Sequence, residues 1–301
     1  MTRACRGAVH GSQGVLIGPW MGKKSMAEWA RTEWGIFRKH GEIDWRQRGR
    51  WLRQWVPFGT RTVSWGIFSI TAGPLTKGAA STWAAKKWSQ SSAKGVHIHI
   101  EASGEQNVPD GGFVYASNHE SLIDTLVLGA ALPGNFKWAV KRSAMSIPFL
   151  GWHLRLAGHV PVDRSKGRDA AVAVIEAFES VLRDEKPLLV FPEGTRTEDG
   201  KLKAFKNGAF QAAVRTGKPV VPIALKGTFT LMSRDEIDTG GSKSREDRLV
   251  TVQIGRPLYP NTELDETEAV ADLRARTRAA VVDMLAKVSS PEAAAVSTRQ
   301  L

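Results

Sequence analysis

Three absences in the sequence exclude common classes of protein. Cys5 is the only cysteine among 301 residues, so neither a disulfide framework nor a cysteine metal site is available. The best charge-free apolar run, residues 62–76, contains glycine and proline and is shorter than the roughly 20 apolar residues of a membrane-spanning helix. Residues 1–25 lack the apolar core and cleavage site of a secretory signal. We therefore expect a weakly ordered extension at residues 1–25, followed by a chain long enough to bury a sizeable core.

Acidic residues are scarce in the first third of the chain. Residues 1–94 hold 16 Lys and Arg against 4 Asp and Glu, whereas residues 95–301 hold 26 of each, so the net charge of +12 comes from the first third. Nine of the eleven tryptophans lie there as well. Indole rings among basic side chains are typical of a lipid headgroup boundary, which favours an anionic membrane over nucleic acid as the partner. A solvated basic face with ordinary core tryptophans is the alternative.

Two segments of this basic third are predicted to be amphipathic helices. In residues 26–37, an apolar stripe recurs at helical spacing, formed by Met26, Ala30, Trp34 and Phe37. In residues 45–56, arginines lie opposite an apolar arc. Pro57 and Gly59 are expected to interrupt the second helix, and a Ser-rich joint at residues 89–94 to follow. Residues 26–94 are thus predicted to be a basic, Trp-rich helical region for membrane association.

From residue 95 onward, predicted strands alternate with predicted helices. The strands are residues 96–101, 113–117, 137–141, 159–163, 188–191, 220–225 and 249–254. The helices are residues 169–183, 205–216 and 266–288. This alternation predicts an α/β domain at residues 95–288, with a mostly parallel central sheet flanked by helices. The Ala- and Ser-rich tail, residues 289–301, is expected to be frayed.

The segment from Asn118 to Asp124 is a candidate for acid–base chemistry, since it follows a predicted strand and precedes a predicted helix. His119 and Asp124 can meet if the helix begins between them, and an imidazole oriented by a carboxylate can take a proton from a hydroxyl. The pair alone is weak evidence. A zinc protease helix is excluded, because it needs a histidine where Ile123 stands. Ser121 is interpreted as a helix cap, since the chain has no G-x-S-x-G nucleophile motif.

A second candidate site follows the predicted strand at residues 188–191. Ligands of open α/β sheets bind beyond the carboxyl ends of the strands, where Glu193 and Arg196 would project. A guanidinium suits a phosphate, and glycines such as Gly194 let the backbone approach a ligand. The alternative is a tight turn with a surface salt bridge.

Together these segments resemble the glycerophospholipid acyltransferase family, which includes the 1-acyl-glycerol-3-phosphate acyltransferases. The first family motif is present as Asn118, His119, Ser121 and Asp124. The second is present as Gly158 to Arg164, and the third as Phe191 to Arg196 with Gly200, Leu202, Phe205, Lys206, Gly208, Ala209 and Phe210. The fourth is Val221, Pro222 and Ile223. The resemblance covers about residues 70–260 in the family's order. The chain departs from the family at Glu120, where many members have Gln, and at Pro161.

The resemblance implies an acyltransferase that moves a fatty acyl group from acyl-CoA or acyl carrier protein to the free hydroxyl of 1-acyl-sn-glycerol 3-phosphate. The product would be phosphatidate, an intermediate of phospholipid biosynthesis. His119 would be the general base and Asp124 its partner, with direct attack and no covalent acyl-enzyme. The residues implied to bind the acceptor are Arg164, Glu193, Gly194, Arg196 and, less directly, Lys141. Neither a metal nor a cofactor is implied beyond the acyl thioester.

Two other interpretations stay open. The acceptor could be glycerol 3-phosphate or another lysophospholipid, because the motifs do not decide between acceptors. The chain could also be a non-catalytic, basic peripheral membrane or nucleic-acid binding protein. The leading interpretation places the protein at a membrane, on its cytoplasmic face, with anionic lipids, lysophosphatidate and the acyl donor as partners and without nucleic acid.

Overall fold

The computed structural model of the chain describes residues 38–39, 42–43, 45–147, 150–163, 167–231 and 248–288, with side chains from residue 56 onward. The chain divides into two compact units, Met1–Trp45 and Arg46–Leu301. In the first unit, β1 (Arg38–Lys39) pairs antiparallel with β2 (Glu42–Ile43). The predicted extension at residues 1–25, the predicted helix at residues 26–37 and the predicted tail at residues 289–301 lie outside the described residues.

A seven-stranded sheet forms the centre of the second unit. Its strands are β3 (His99–Ser103), β4 (Val114–Ser117), β5 (Lys137–Lys141), β6 (Val160–Val162), β7 (Leu188–Val190), β8 (Val220–Lys226) and β9 (Leu249–Ile254). Their order is β3-β9-β8-β4-β7-β5-β6. Neighbours pair in parallel except β8 and β9, which are antiparallel. The predicted mostly parallel α/β sheet is therefore confirmed.

The first sheet strand begins three residues later than predicted. Val96 caps the preceding helix, and its N–H donates to the carbonyl of Ser92. His97 adopts a left-handed conformation with φ of 56°. These residues complete the helix end, so the strand begins only at His99.

Helices cover both faces of the sheet. The described helices are α1 (Trp45–Ala72), α2 (Ala79–Gly95), α3 (Asp124–Ala131), α4 (Leu150–Leu156), α5 (Arg168–Arg183), α6 (Gly208–Thr216), α7 (Thr228–Leu231) and α8 (Glu266–Val288). Alternate residues of β4 point to opposite faces: Val114 packs in the core with α5, α6 and α8, and Tyr115 packs in the core with α2 and α3. Strands buried on both sides in this way are usual in parallel sheets.

The predicted interruption at Pro57 and Gly59 is wrong, because α1 continues through both residues. A proline removes one backbone donor from a helix, and this cost can be offset by packing. Here the ring of Phe58 makes an edge contact with Trp88 on α2, with ring centroids 5.8 Å apart. The indole of Trp88 donates a hydrogen bond to the Thr62 hydroxyl at 3.0 Å. Contacts with α2 thus hold α1 together beyond the proline.

The predicted joint at residues 89–94 is also wrong, because these residues form the end of α2. Ser89, Ser92 and Ala93 are buried there. A Cβ atom added to Gly129 of α3 would lie 2.4 Å from the Ser89 hydroxyl oxygen. The small side chains therefore let two helices approach closely, and they do not mark a linker. The predicted boundary at residues 94 and 95 lies inside the second compact unit.

Candidate active site

The two central motifs meet at one edge of the sheet. Asn118 and His119 follow β4 directly, and Phe191 follows β7 directly. The two strands are parallel neighbours, with Ala116 paired to Val190. Their carboxyl ends therefore lie side by side, which is where open α/β sheets bind ligands.

His119 and Asp124 form a hydrogen-bonded pair at this edge. The distance from His119 Nδ1 to Asp124 Oδ2 is 2.8 Å, and the aspartate side chain is fully buried. The same oxygen accepts the backbone N–H groups of Glu120 at 2.7 Å and Ser121 at 2.9 Å. Asp124 is the first residue of α3, so the chain between the two residues is a turn. This turn brings them together despite a spacing that would separate them within a helix.

Ser121 lies in the turn and does not cap the helix as predicted. Its hydroxyl oxygen accepts the N–H of Ile123 at 3.4 Å, whereas the N-cap position is Ile123 itself, without a side-chain cap. The Asp124 carboxylate accepts N–H groups of the turn that precedes the helix. One carboxylate therefore both orders the turn and orients the imidazole.

The loop after β7 contacts His119 on its backbone and on its ring. The ring of Phe191 stacks on the imidazole, with centroids 3.9 Å apart and planes 11° apart. Glu193 Oε1 accepts the backbone N–H of His119 at 2.7 Å, and Oε2 accepts the N–H of Lys203 at 2.8 Å. The N–H of Thr197 donates to the carbonyl of His119 at 2.9 Å. Burial raises the pKa of Glu193, against the effect of its hydrogen bonds.

Asn118 and Glu120 bind the turn that contains His119 to β8 and α7. The Asn118 side chain accepts the N–H of Leu225 at 2.8 Å and donates to the carbonyl of the same residue at 2.7 Å. Glu120 accepts hydrogen bonds from the hydroxyl of Thr228 and the N–H of Phe229, both at 3.3 Å. Burial, and next the charge of Asp124, raise the pKa of Glu120 to about 7. This residue was not predicted to have a role in the site.

Of the residues predicted to bind the acceptor, some lie in the loop after β7, one lies at the end of β5, and one is outside the described residues. Gly194 lies in the loop with φ of 77°, a conformation that favours glycine. Arg196 is partly exposed in the same loop, and Lys141 is exposed at the end of β5, two strands from β4. Arg164 lies outside the described residues.

Lys206, which belongs to the third motif and was not predicted to bind the acceptor, is a further candidate for the site. Its side chain lies across Gly194, so a Cβ added to that glycine would be 2.7 Å from Lys206 Nζ. The backbone N–H of Lys206 donates to the carbonyl of Pro192 at 2.8 Å, which closes the loop on itself. A lysine this far beyond the end of a strand carries no signal of such an approach, so sequence spacing does not identify it.

His153 and His159 form a pair of neighbouring rings, 6.1 Å apart between centroids, in which His159 is buried and His153 is partly buried. His153 Nδ1 lies 2.7 Å from the hydroxyl of Ser69 on α1, and His159 accepts the N–H of Trp138 at 3.1 Å. Burial lowers the pKa of His153 to about 4 and that of His159 to about 3. Both rings are therefore neutral near pH 7 and hold helices and strands together. Within the part of the chain that the structure describes, no group of His, Cys, Asp and Glu is arranged to hold a metal ion.

Part of this chain is similar in sequence to known acyltransferases. Residues 99–226 match the family described as Acyltransferase. A 1-acyl-sn-glycerol-3-phosphate acyltransferase of Chlamydomonas reinhardtii is 36% identical over 165 residues, covering 54% of this chain and 48% of that protein. One from Saccharomyces cerevisiae is 35% identical over 138 residues, covering 45% of this chain and 46% of that protein. The chain thus spans about half the length of the curated relatives it matches.

The fold also has a solved counterpart. The crystal structure of the 1-acyl-sn-glycerophosphate acyltransferase PlsC from Thermotoga maritima superposes with a TM-score of 0.66, covering 81% of this chain and 98% of that one at 21% identity. The fold and the site together define an α/β protein with a histidine–aspartate pair at the carboxyl edge of its sheet. The match of residues 99–226 to the Acyltransferase family, together with the identity to the curated relatives, bears out the resemblance to the glycerophospholipid acyltransferases.

Proposed function

We propose that the protein transfers a fatty acyl group from an acyl thioester to the free hydroxyl of 1-acyl-sn-glycerol 3-phosphate, with phosphatidate as the product. The observation that carries the proposal is the 2.8 Å contact between His119 and Asp124 at the carboxyl edge of the sheet. The names of the relatives support the acceptor. The donor is proposed to be acyl-CoA or acyl carrier protein, with no other cofactor.

The proposed reaction uses His119 as general base. A buried carboxylate such as Asp124 can only accept a hydrogen bond when ionised, so it holds the proton on Nδ1 and leaves Nε2 free to take one. Nε2 removes the proton from the acceptor hydroxyl as the oxygen attacks the thioester carbonyl. The carbon–sulfur bond then breaks, and the thiolate leaves with the proton from the imidazolium. The ester product and a free thiol balance the step, and no acyl-enzyme is needed.

The acceptor phosphate is proposed to bind beside the loop after β7. Arg196 and Lys206 bring two cationic side chains to this loop, and the missing side chain of Gly194 lets the Lys206 ammonium lie against the loop. Lys141, at the end of β5, is also proposed to bind the phosphate, and so is Arg164, which lies outside the described residues. Arginine suits this role because its planar guanidinium can bind two phosphate oxygens at once.

Membrane association is proposed to involve α1 and α2. Large apolar side chains are exposed along these helices and the turn between them, namely Val56, Val63, Ile67, Phe68, Leu75 and Trp83. Trp65, Phe68 and Trp83 form an aromatic cluster, with ring centroids 5.5 to 6.1 Å apart. Among the described residues, no helix is long and apolar enough to cross a bilayer. An exposed aromatic cluster beside basic residues suits the headgroup layer, where a lysophospholipid acceptor resides.

An acceptor panel tests the proposal. The purified protein would be given acyl-CoA or acyl carrier protein thioesters with lysophosphatidate, glycerol 3-phosphate or other lysophospholipids, and free thiol would be measured. We expect acceptor-dependent thiol release that is fastest with lysophosphatidate and that falls by at least about a hundredfold in His119→Ala. A rate with glycerol 3-phosphate above that with lysophosphatidate would refute the proposed acceptor. A folded His119→Ala variant that keeps its rate would refute the mechanism.

A further inference from the structure

The carboxylate of Glu193 is bound by backbone amides on both of its oxygens. Glu193 is only 5% exposed. Oε1 accepts the N–H of His119, and Oε2 accepts the N–H of Lys203. A buried carboxylate is costly unless hydrogen bonds replace its hydration, and two amide donors at 2.7 and 2.8 Å do so. The carboxylate therefore faces two segments of protein backbone.

The same loop fixes His119 at two more points. Thr197 binds the carbonyl of His119, and Phe191 stacks on one face of its ring. Together with Glu193, they engage both backbone polar groups of the histidine and the plane of its imidazole. Asp124 then fixes the remaining freedom, which is the direction of Nδ1. His119, which follows β4, is thus held in position by the loop that follows β7.

We infer that Glu193 is a positioning residue for His119 and not a contact for the acceptor phosphate. The inference rests on the proposed general-base role of His119, and it differs from the role predicted for Glu193 from the sequence. A base must lie within hydrogen-bond reach of the hydroxyl, and a displacement of about 1 Å can cost about a hundredfold in rate. Loss of the Glu193 bonds should therefore lower kcat and leave the acceptor KM nearly unchanged.

Two substitutions separate these roles. Glu193→Gln keeps the volume, but an amide has one acceptor oxygen for two N–H donors, so one donor would face the amide nitrogen. Glu193→Ala leaves both donors without the carboxylate. We expect kcat to fall by about tenfold or more in each variant, with the acceptor KM within about twofold of wild type. The acid limb of the kcat profile should also move to lower pH, because the imidazolium loses the nearby charge of Glu193 and, once displaced, is stabilised less by Asp124.

Glu198→Gln and Arg196→Ala are the matched controls. Glu198 is an exposed acid in the same loop, and its exchange should leave kcat and the acid limb unchanged. Arg196→Ala should raise the acceptor KM. A smaller folded fraction would scale kcat without moving the acid limb, so the pH profile separates positioning from lost stability. A raised acceptor KM with unchanged kcat in Glu193→Gln, as in Arg196→Ala, would overturn the inference.

Hydrogen exchange resolved to single amides tests the bonding in the wild-type protein without any substrate. We expect slow exchange at the amides of His119 and Lys203, and faster exchange at both in Glu193→Gln. Rapid exchange at both amides of the wild-type protein would overturn the inference even if every variant failed to fold. Absence of thiol release from the wild-type protein with every acceptor would refute the proposed function instead, so the two failures are distinguishable.

Discussion

Exchanging Glu120 for glutamine should stabilise the folded protein, and the gain should grow as the pH rises. Burial raises the pKa of Glu120 most, the negative charge of Asp124 raises it further, and Glu193 adds to this effect. Hydrogen bonds from Phe229 and Thr228 oppose these effects only in part, so the pKa is about 7. Glutamine has nearly the same volume and no charge, and its amide oxygen can accept the bonds from Phe229 and Thr228, although the bond that Asn118 Nδ2 donates to the other oxygen is lost.

The size of the gain follows from the two pKa values. Well below the ordinary pKa of 4.5, the folded and unfolded chains both hold the proton, and at pH 4.5 the unfolded chain has released about half of it. Between pH 4.5 and about 7 the unfolded chain releases its proton while the folded chain keeps it, so stability falls as the pH rises. Above about pH 7 the folded state carries the buried charge at a cost of about 3 kcal/mol, taken at about 1.4 kcal/mol per pKa unit. Glu120→Gln removes this loss.

Urea unfolding at a series of pH values measures the effect. The difference in unfolding free energy between Glu120→Gln and wild type should grow by about 3 kcal/mol from pH 4.5 to pH 8. Taking a difference at each pH cancels the titration of other groups. Glu176→Gln, on the exposed side of α5, reports the same exchange where water solvates the side chain. A difference that stays constant across this range, or a glutamine variant less stable than wild type at pH 8, would refute the reasoning.

Four further outcomes are expected. Asp124→Asn should lower kcat by about a hundredfold, because an amide no longer orients the imidazole as a carboxylate does, and steady-state kinetics with a folded variant checks this. Arg196→Ala should raise the acceptor KM by about tenfold with little change for the donor, and the reverse pattern would contradict the assignment. Trp83→Ser should weaken binding to anionic vesicles by about tenfold in flotation assays, whereas Tyr259→Ser, which removes an exposed aromatic residue outside α1 and α2, should not. His153 has a lowered pKa of about 4, so its contribution to stability is complete above pH 6.5 and is lost as the pH falls toward 4. Urea unfolding should therefore show that His153→Gln loses less stability than wild type as the pH falls over that range.

The strands could be predicted because their signal is local. Apolar runs bounded by turn residues predict β4, β7 and β8 within a residue or two at each end. The direction of a strand leaves no such signal. Nothing in the residues of β9 distinguishes a strand antiparallel to β8 from a parallel one, since pairing depends on the path of the chain between them.

The N-terminal helices show how packing overrides a local signal. Pro57 and the serines near residue 90 are both typical breakers when considered alone. The structure that these residues adopt depends on partners distant in sequence. Trp88 binds α1 beyond the proline, and Gly129 leaves room for Ser89 to pack against it. A run of small polar residues is compatible with a flexible linker and with a closely packed helix, and only the opposing surface decides between them.

In the candidate site, too, contacts within one motif could be predicted and contacts between distant segments could not. His119 and Asp124 could be predicted as a pair because five residues and one helix start bring them together, so the geometry is contained in the motif. Glu193 could not be assigned in this way, because its partner on His119 lies 74 residues earlier in the chain. An acidic residue after a strand can bind a ligand or a neighbouring loop, and the sequence is the same in both cases. Here the adjacency of β4 and β7 supplies a neighbouring loop as partner, because it places the backbone N–H of His119 against the Glu193 carboxylate.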